Sequence, residues 1–210
     1  MQVAKIHDAV LEYEEEDVAR LVQAEVDAGT DIKVILEEGL IKPLDVVGEQ
    51  FSDGTLFVPE MLMAAEAVAA GLGIVRPLLV ETGAKPAGTI VLGTVKGDLH
   101  DIGKNLVRMM LEGAGFNVKD LGVDVSPEDF ITAIEETNAD MVCMSALLTT
   151  TMDNMGSIIQ AIVEAELRSE VRILIGGAPV SAGYAEKIGA DGYAEDAAGA
   201  VEEAHRLINA

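Results

Sequence analysis

The hydrophobic pattern of this chain changes character near residue 85, and that change bounds the folds open to it. Before it, apolar residues recur at helical spacing and β-branched clusters are few. Val3, Ile6, Val10 and Tyr13 form one stripe, and Val18, Leu21, Val22 and Val26 form a second that runs to Gly29, with Asp17 read as its cap. Thr30 or Asp31 starts a third segment, in which Ile32, Ile35 and Leu36 give way around Gly39 to Leu40, Leu44, Val47 and Phe51, with Pro43 in an early turn. Pro59 is read as the first residue of a long fourth helix, PEMLMAAEAVAAGLGIVRPLL, whose Ala and Gly let neighbours approach closely. Residues 1–84 are therefore expected to form a four-helix bundle.

Beyond ETGAKPAG, which supplies a linker at 85–89, short β-branched runs alternate with amphipathic stretches. TIVLGTV, FNVKDLG, ADMVCMSAL, VRILIGG and ADGYA read as strands, each followed by a helical segment, the second of which has Ser126 as cap and Pro127 at its first position. Five β-α alternations imply an α/β domain over residues 90–210, a Rossmann-like (flavodoxin-like) five-stranded parallel sheet covered on both faces. Ligands of such sheets sit beyond the carboxyl ends of the strands, where strand order reverses.

Composition removes several partner classes. A formal charge of −23 and a pI near 4.2 would repel nucleic acid and anionic membrane surfaces alike. The single cysteine, Cys143, lies in MVCMSALL and reads as a buried strand residue, which excludes an intramolecular disulfide and a Cys-rich metal site. The acidic, amphipathic start lacks the basic residues and apolar block of a secretory signal, and no apolar run is read as reaching the roughly 20 residues of a membrane span. A cytoplasmic protein is expected.

The stretch KGDLHDIGKN, residues 96–105, follows the first strand and leads into the next helix, so it occupies a ligand position. It fails as a phosphate loop: five residues rather than four separate Gly97 from Gly103, Asn105 replaces the magnesium-binding hydroxyl, and Asp98 and Asp101 would repel phosphate. Gly93, Gly97 and Gly103 are too widely spaced for a dinucleotide fingerprint. A zinc site needs three or four protein ligands, and the chain has three histidines and one cysteine, with His7 and His205 read as exposed helical residues. A Ser-His-Asp triad lacks its nucleophile elbow. There remains His100 as a single axial ligand to a metal whose other positions come from a corrin or haem macrocycle. Asp98 can accept the imidazole's other N–H, and Gly103 admits close approach.

Asp98, His100 and Gly103 in DLHDIG resemble the Asp-x-His-x-x-Gly signature of the cobalamin-binding domain shared by methionine synthase, some carbon-skeleton mutases and the corrinoid proteins of one-carbon methyltransferase systems. MSALLTTT, with Ser145, Leu147, Thr149 and Thr151, is similar to the family's Ser-x-Leu segment, and ILIGGAPVS, with Gly176 and Gly177, to its double-glycine loop. FVPEMLMAAEA is similar to the helical cap that precedes the domain. The resemblance implies a base-off, His-on cobalamin or related corrinoid, with His100 as lower ligand to cobalt. Asp98 is then its hydrogen-bond partner, and Thr151 stands where methionine synthase has the serine of its relay. Asp101 and Ile102 complete the cofactor loop, Asp101 also as a helix-start residue. Ser145, Leu147, Thr149, Gly176 and Gly177 would line the slot for the nucleotide tail, although the two glycines also suit a tight turn.

By the same resemblance the chain is a methyl carrier rather than an enzyme by itself. Co(I) accepts a methyl group from a substrate-specific methyltransferase, and methyl-Co(III) yields it to a second methyltransferase acting on tetrahydrofolate or a thiol coenzyme, with a reductive activator as a further partner. The cap is expected to cover the upper face through Phe57, Met61 and Leu62, although Met61 and Met63 equally suit a core, and to move about the linker. A mutase subunit would generally lack this cap. A B12-dependent sensor would need an output module, and a cofactor-free interaction domain would leave three matched loops unexplained.

Overall fold

The computed structural model describes residues 3–81 and 86–209. They fall into two compact units, one comprising the chain up to Pro86 with Glu112–Gly115, the other Ala87–Leu111 with the rest of the chain from Phe116. Residues 82–85, the end of the expected bundle and the first residue of the expected linker, lie outside the described residues.

The first unit is helical: α1 (Val3–Leu11), α2 (Glu15–Asp27), a continuous third stretch, and α5 (Val58–Glu81). The third stretch consists of α3 (Ile32–Val34), a π-helical segment over Ile35–Ile41 and α4 (Lys42–Ser52), joined through right-handed helical backbone at Val34, Ile41 and Lys42. Asp31 caps it, its carboxylate accepting from Lys33 N–H at 2.9 Å. Gly39 is not a break. A Cβ there would lie 3.2 Å from Ile6 Cγ2, so the glycine lets α1 pack against the widened turn. The widening precedes Pro43, whose ring would otherwise crowd the carbonyl four residues back, and the Lys42 N–H bonds to Glu37 O, five residues back. Pro43 is thus accommodated inside one helical stretch.

Helix starts differ by a residue or two from the expectation. α2 begins at Glu15, so Asp17 lies in the first turn with Glu15 and Glu16, where the helix dipole favours carboxylates. α5 begins at Val58, one residue before Pro59, with the Glu60 carboxylate accepting from Phe57 N–H at 2.9 Å. Gly71 on α5 allows close helix approach, since a Cβ there would be 2.7 Å from Leu40 Cδ2 and 3.2 Å from Val18 Cγ1. α5 also corrects the reading of apolar runs: Val58–Val75 is long and apolar enough to cross a membrane by length and composition. In the fold it packs on α2 and α4 and buries Met61, Ala64, Ala67, Val68, Leu72 and Val75.

The second unit is the expected five-stranded parallel sheet. Its strands are β1 (Thr89–Thr94), β2 (Asn117–Asp120), β3 (Met141–Ser145), β4 (Arg172–Gly176) and β5 (Gly192–Ala194), in the order β2-β1-β3-β4-β5. The helices α6 (Ile102–Gly113), α7 (Pro127–Thr137), α8 (Asp153–Glu164), α9 (Ala182–Ile188) and α10 (Ala197–Ile208) alternate with them. α7 opens with Ser126 and Asp129 capping each other reciprocally. The central strands are nearly all apolar because both faces are covered. Cys143 is buried, and burial pushes its thiol up to about 12.

Register aligns the carboxyl ends of the strands: Thr94 pairs with Ser145, Ser145 with Gly176, and Gly176 with Ala194. Strand order reverses at β1, whose neighbours are β2 and β3, so the loops after β1 and β3 flank the switch point.

β1 passes beneath the buried ring of Phe130, and a Cβ on Gly93 would lie 2.8 Å from Phe130 Cζ. Gly93→Ala is expected to cost roughly 1–3 kcal/mol by overpacking. Urea unfolding checks this, and Phe130→Leu in the Gly93→Ala background should recover part of the loss.

Candidate functional site

The loop after β1 is built around one inward and one outward side chain. Val95 pairs with Val125 in a single parallel bridge, and Gly97 then takes φ of +82°. The turn directs Asp98 into the protein, fully buried, and leaves the His100 side chain 53% exposed. Asn154 of α8 donates to the Lys96 carbonyl at 2.7 Å, and the buried Thr94 hydroxyl donates to the His100 carbonyl at 3.0 Å.

Asp98 joins two loops. Its Oδ1 accepts from the His100 backbone N–H at 3.1 Å and contacts His100 Nδ1 at 2.8 Å. Its Oδ2 accepts from Leu147 N–H at 2.8 Å, Leu148 N–H at 3.3 Å and the Thr151 hydroxyl at 2.6 Å, all from the segment after β3. Burial pushes the Asp98 carboxyl up, but the Thr151 hydroxyl, the Leu147 N–H and the His100 ring and N–H outweigh it and hold the group well below the usual carboxylate range. An ionised carboxylate only accepts, so His100 Nδ1 carries the proton. In the neutral form of the ring the lone pair is then on Nε2, which has no hydrogen-bond partner among the described residues.

Four large apolar side chains stand exposed on these same segments: Leu99 at 72%, Ile102 at 78%, Leu147 at 43% and Leu148 at 42%. A Cβ on Gly103 would meet nothing within 4 Å, so packing within the chain does not explain that glycine. No group of three or more His, Cys, Asp or Glu suited to a metal ion exists among the described residues. One fixed-tautomer imidazole, apolar surroundings and an open glycine fit a flat macrocycle that brings its own metal and equatorial nitrogens.

The remaining expected residues divide. Thr151 is 6% exposed, and its extra methyl lies over Gly97, with Cγ2 3.7 Å from where a Cβ would be. Asp101 is exposed, immediately precedes α6 and accepts from Asn105 Nδ2 at 3.1 Å. Ser145 ends β3 and is half-buried, and Thr149 is exposed. Gly176 and Gly177 turn their bare sides toward neighbouring backbone: a Cβ would lie 3.0 Å from Ala194 O and 1.9 Å from Ala146 O respectively. At both positions the missing side chain makes room for adjacent strand ends, as the tight-turn reading expects.

In the helical unit, Phe57 is 68% exposed and Leu62 half-buried, whereas Met61 is fully buried and serves as core. Met63, two residues on, is the exposed methionine. The reading of His7 and His205 as exposed is corrected too. Both are half-buried, His7 Nδ1 lies 3.3 Å from Asp8, and the His205 ring packs against Phe116 with centroids 4.7 Å apart. Leu99, Leu148 and Thr94 were not anticipated. The available signal for the leucines was an apolar residue placed in a loop among Asp, His and Thr; Thr94 is indistinguishable from any strand threonine.

Comparison with known proteins agrees with this geometry. Residues 88–202 match a family model described as B12 binding domain, and residues 2–76 match a second model with the same description. A corrinoid protein of Desulfitobacterium hafniense is 41% identical over 207 residues, covering 97% of this chain and 96% of that one. Trimethylamine corrinoid protein 2 of Methanosarcina acetivorans is 42% identical over 208 residues, covering 98% and 96%. In the crystal structure of the methanol:cobalamin methyltransferase complex MtaBC from Methanosarcina barkeri, one chain is similar with a TM-score of 0.85 at 32% identity, over 99% of this chain and 79% of that chain. Fold and site together define a cobalamin-binding protein. The chain belongs to the B12-binding family, among its corrinoid proteins.

The depressed Asp98 carboxyl has a signed consequence for stability. Its contribution is fully present above the ordinary aspartate value, about 3.9, and is lost as pH falls through the lower folded value. Thr151→Val removes the hydroxyl donor, raises the folded value and should move acid unfolding, followed by circular dichroism, to higher pH. Thr151→Ser should track the wild type. Coincident acid curves for the wild type and Thr151→Val would contradict the assignment.

Proposed function

We propose that the chain is a methyl-carrying corrinoid protein in which His100 Nε2 is the lower cobalt ligand of a base-off corrinoid. The observation that carries this reading is the exposed imidazole whose Nδ1 is held 2.8 Å from the buried Asp98 carboxylate. The hydrogen bond fixes which nitrogen is free and raises its basicity toward a metal. Leu99, Ile102, Leu147 and Leu148 offer apolar contact to the macrocycle, and Gly103 leaves space for close approach. Ser145 and Thr149 are the candidates for polar contacts to the nucleotide tail. When bound, the corrinoid supplies a cobalt centre able to accept and release a methyl group, and the protein's part is to bind, orient and tune it.

The chain acts as a carrier, so the choice of methyl donor lies with its partners. A relative is a trimethylamine corrinoid protein, and a similar chain occurs within a methanol:cobalamin methyltransferase complex. These support a substrate-specific methyltransferase as the loading partner. The proposal adds a second methyltransferase that delivers the methyl group to tetrahydrofolate or a thiol coenzyme, a reductive activator, and a cytoplasmic location, with residues 85–89 as the linker between two domains.

Reconstitution of the purified full chain with aquocobalamin tests the ligand assignment. The expected product has a base-off, histidine-on absorption spectrum. His100→Ala should lose the histidine-on feature, and Asp98→Asn should bind roughly 10–100-fold more weakly. An unchanged free-cofactor spectrum, or wild-type behaviour of both variants, would overturn it. Transfer of a methyl group from the loaded chain through a tetrahydrofolate methyltransferase tests the carrier role, and no transfer with any acceptor enzyme would count against it.

A further inference from the structure

Beside the His100 loop stands an aspartate to which corrinoid binding gives no task. Asp124, between β2 and α7, is exposed and has φ of +55°, in the left-handed region that a residue with a side chain enters at a cost. Its hydrogen bonds are reciprocal with one dipeptide. Asp124 Oδ1 accepts from Gly97 N–H at 2.7 Å, and the Asp124 N–H donates to the Asp98 carbonyl at 3.0 Å. The two contacts bracket Gly97 and Asp98 immediately before Leu99 and His100.

Asp124 is itself tied to the sheet. Its neighbour Val125 donates to Thr94 O at 3.0 Å and pairs with Val95, while Thr94 N–H donates to Gly122 O at 3.0 Å. The residue is therefore anchored to the end of β1 on one side and grips the loop on the other. Aspartate suits both demands, since Asp and Asn tolerate left-handed backbone better than other side chains and the carboxylate makes a strong acceptor.

We propose that Asp124 is a positioning residue for His100: it clamps the Gly97–Asp98 backbone so that the Asp98–His100 pair is already set when the corrinoid arrives. The proposal rests on His100 being the cobalt ligand. It predicts that the side-chain oxygen acceptor, and not the backbone conformation at 124, carries the effect.

Three variants separate these contributions. Asp124→Gly removes the acceptor while accommodating the positive φ, Asp124→Asn retains both an acceptor and the tolerance, and Asp124→Ala retains neither. Amide exchange at Gly97 in the apo full chain reads the clamp without cofactor, and spectral titration with aquocobalamin reads affinity and the histidine-on fraction. Asp124→Gly and Asp124→Ala should exchange faster at Gly97, bind aquocobalamin roughly tenfold more weakly and show a smaller histidine-on fraction, with Asp124→Asn close to wild type. If the wild type is histidine-on and Asp124→Gly matches it in Gly97 exchange, affinity and spectrum, the clamp is overturned. A wild type lacking the histidine-on spectrum overturns instead the cobalt reading beneath it.

Discussion

One buried carboxylate organises the functional end of the sheet. Asp98 receives five donors: the His100 N–H and Nδ1, the Leu147 and Leu148 N–H groups, and the Thr151 hydroxyl. A carboxylate excluded from water is tolerable only when its lone pairs are met, so these bonds are conditions for the loop to exist as much as embellishments of it. They come from the segments after two adjacent strands, and the same contacts that permit burial bind those segments together. The electronic consequence follows from the same bonds: a carboxylate held ionised must accept from the imidazole, so Nδ1 carries a proton and Nε2 is the nitrogen left for a metal.

The sheet makes this arrangement possible. Because β1 lies between β2 and β3, with Thr94 paired to Ser145, the chain leaves both central strands at the same level. Residues 49 and 50 positions apart in sequence, Asp98 with Leu147 and Leu148, then come within hydrogen-bond distance. In the proposed reading a single histidine is enough, because the metal arrives with its own equatorial ligands and needs no cluster of protein ligands. On the same reading, the exposed leucines and Ile102 on these segments would give an apolar macrocycle its contact surface.

Much of this was legible in the sequence because the signals are local. Alternation of β-branched runs with amphipathic stretches defines the parallel sheet, Ser126-Pro127 marks a helix start, and the scarcity of His and Cys restricts the metal chemistry. What escaped depends on three-dimensional neighbours. Gly39 read as an interruption and Pro43 as an early-turn residue of a new helix, but a π-helical widening joins the two segments, and spacing alone does not announce it. Met61 and Met63 are equivalent in composition, and only the rotation of α5 puts the first in the core and the second outside. Gly177 admitted two readings, and the contact that favours a close backbone approach, the Ala146 carbonyl in the space its side chain would need, is not visible in the sequence. Asp124 lies 24 positions after His100 in the chain, and its link to Gly97 becomes visible only when Val95 and Val125 are paired.

The central claim is that Asp98 confines the proton to Nδ1 and thereby makes His100 Nε2 the cobalt ligand. Electron paramagnetic resonance of the Co(II) corrinoid bound to protein carrying histidine labelled with nitrogen-15 at one ring position tests it directly. Labelling at Nε2 should convert the superhyperfine triplet into a doublet, and labelling at Nδ1 should leave the triplet intact. The reverse pattern, or no nitrogen splitting from either label, would contradict the account.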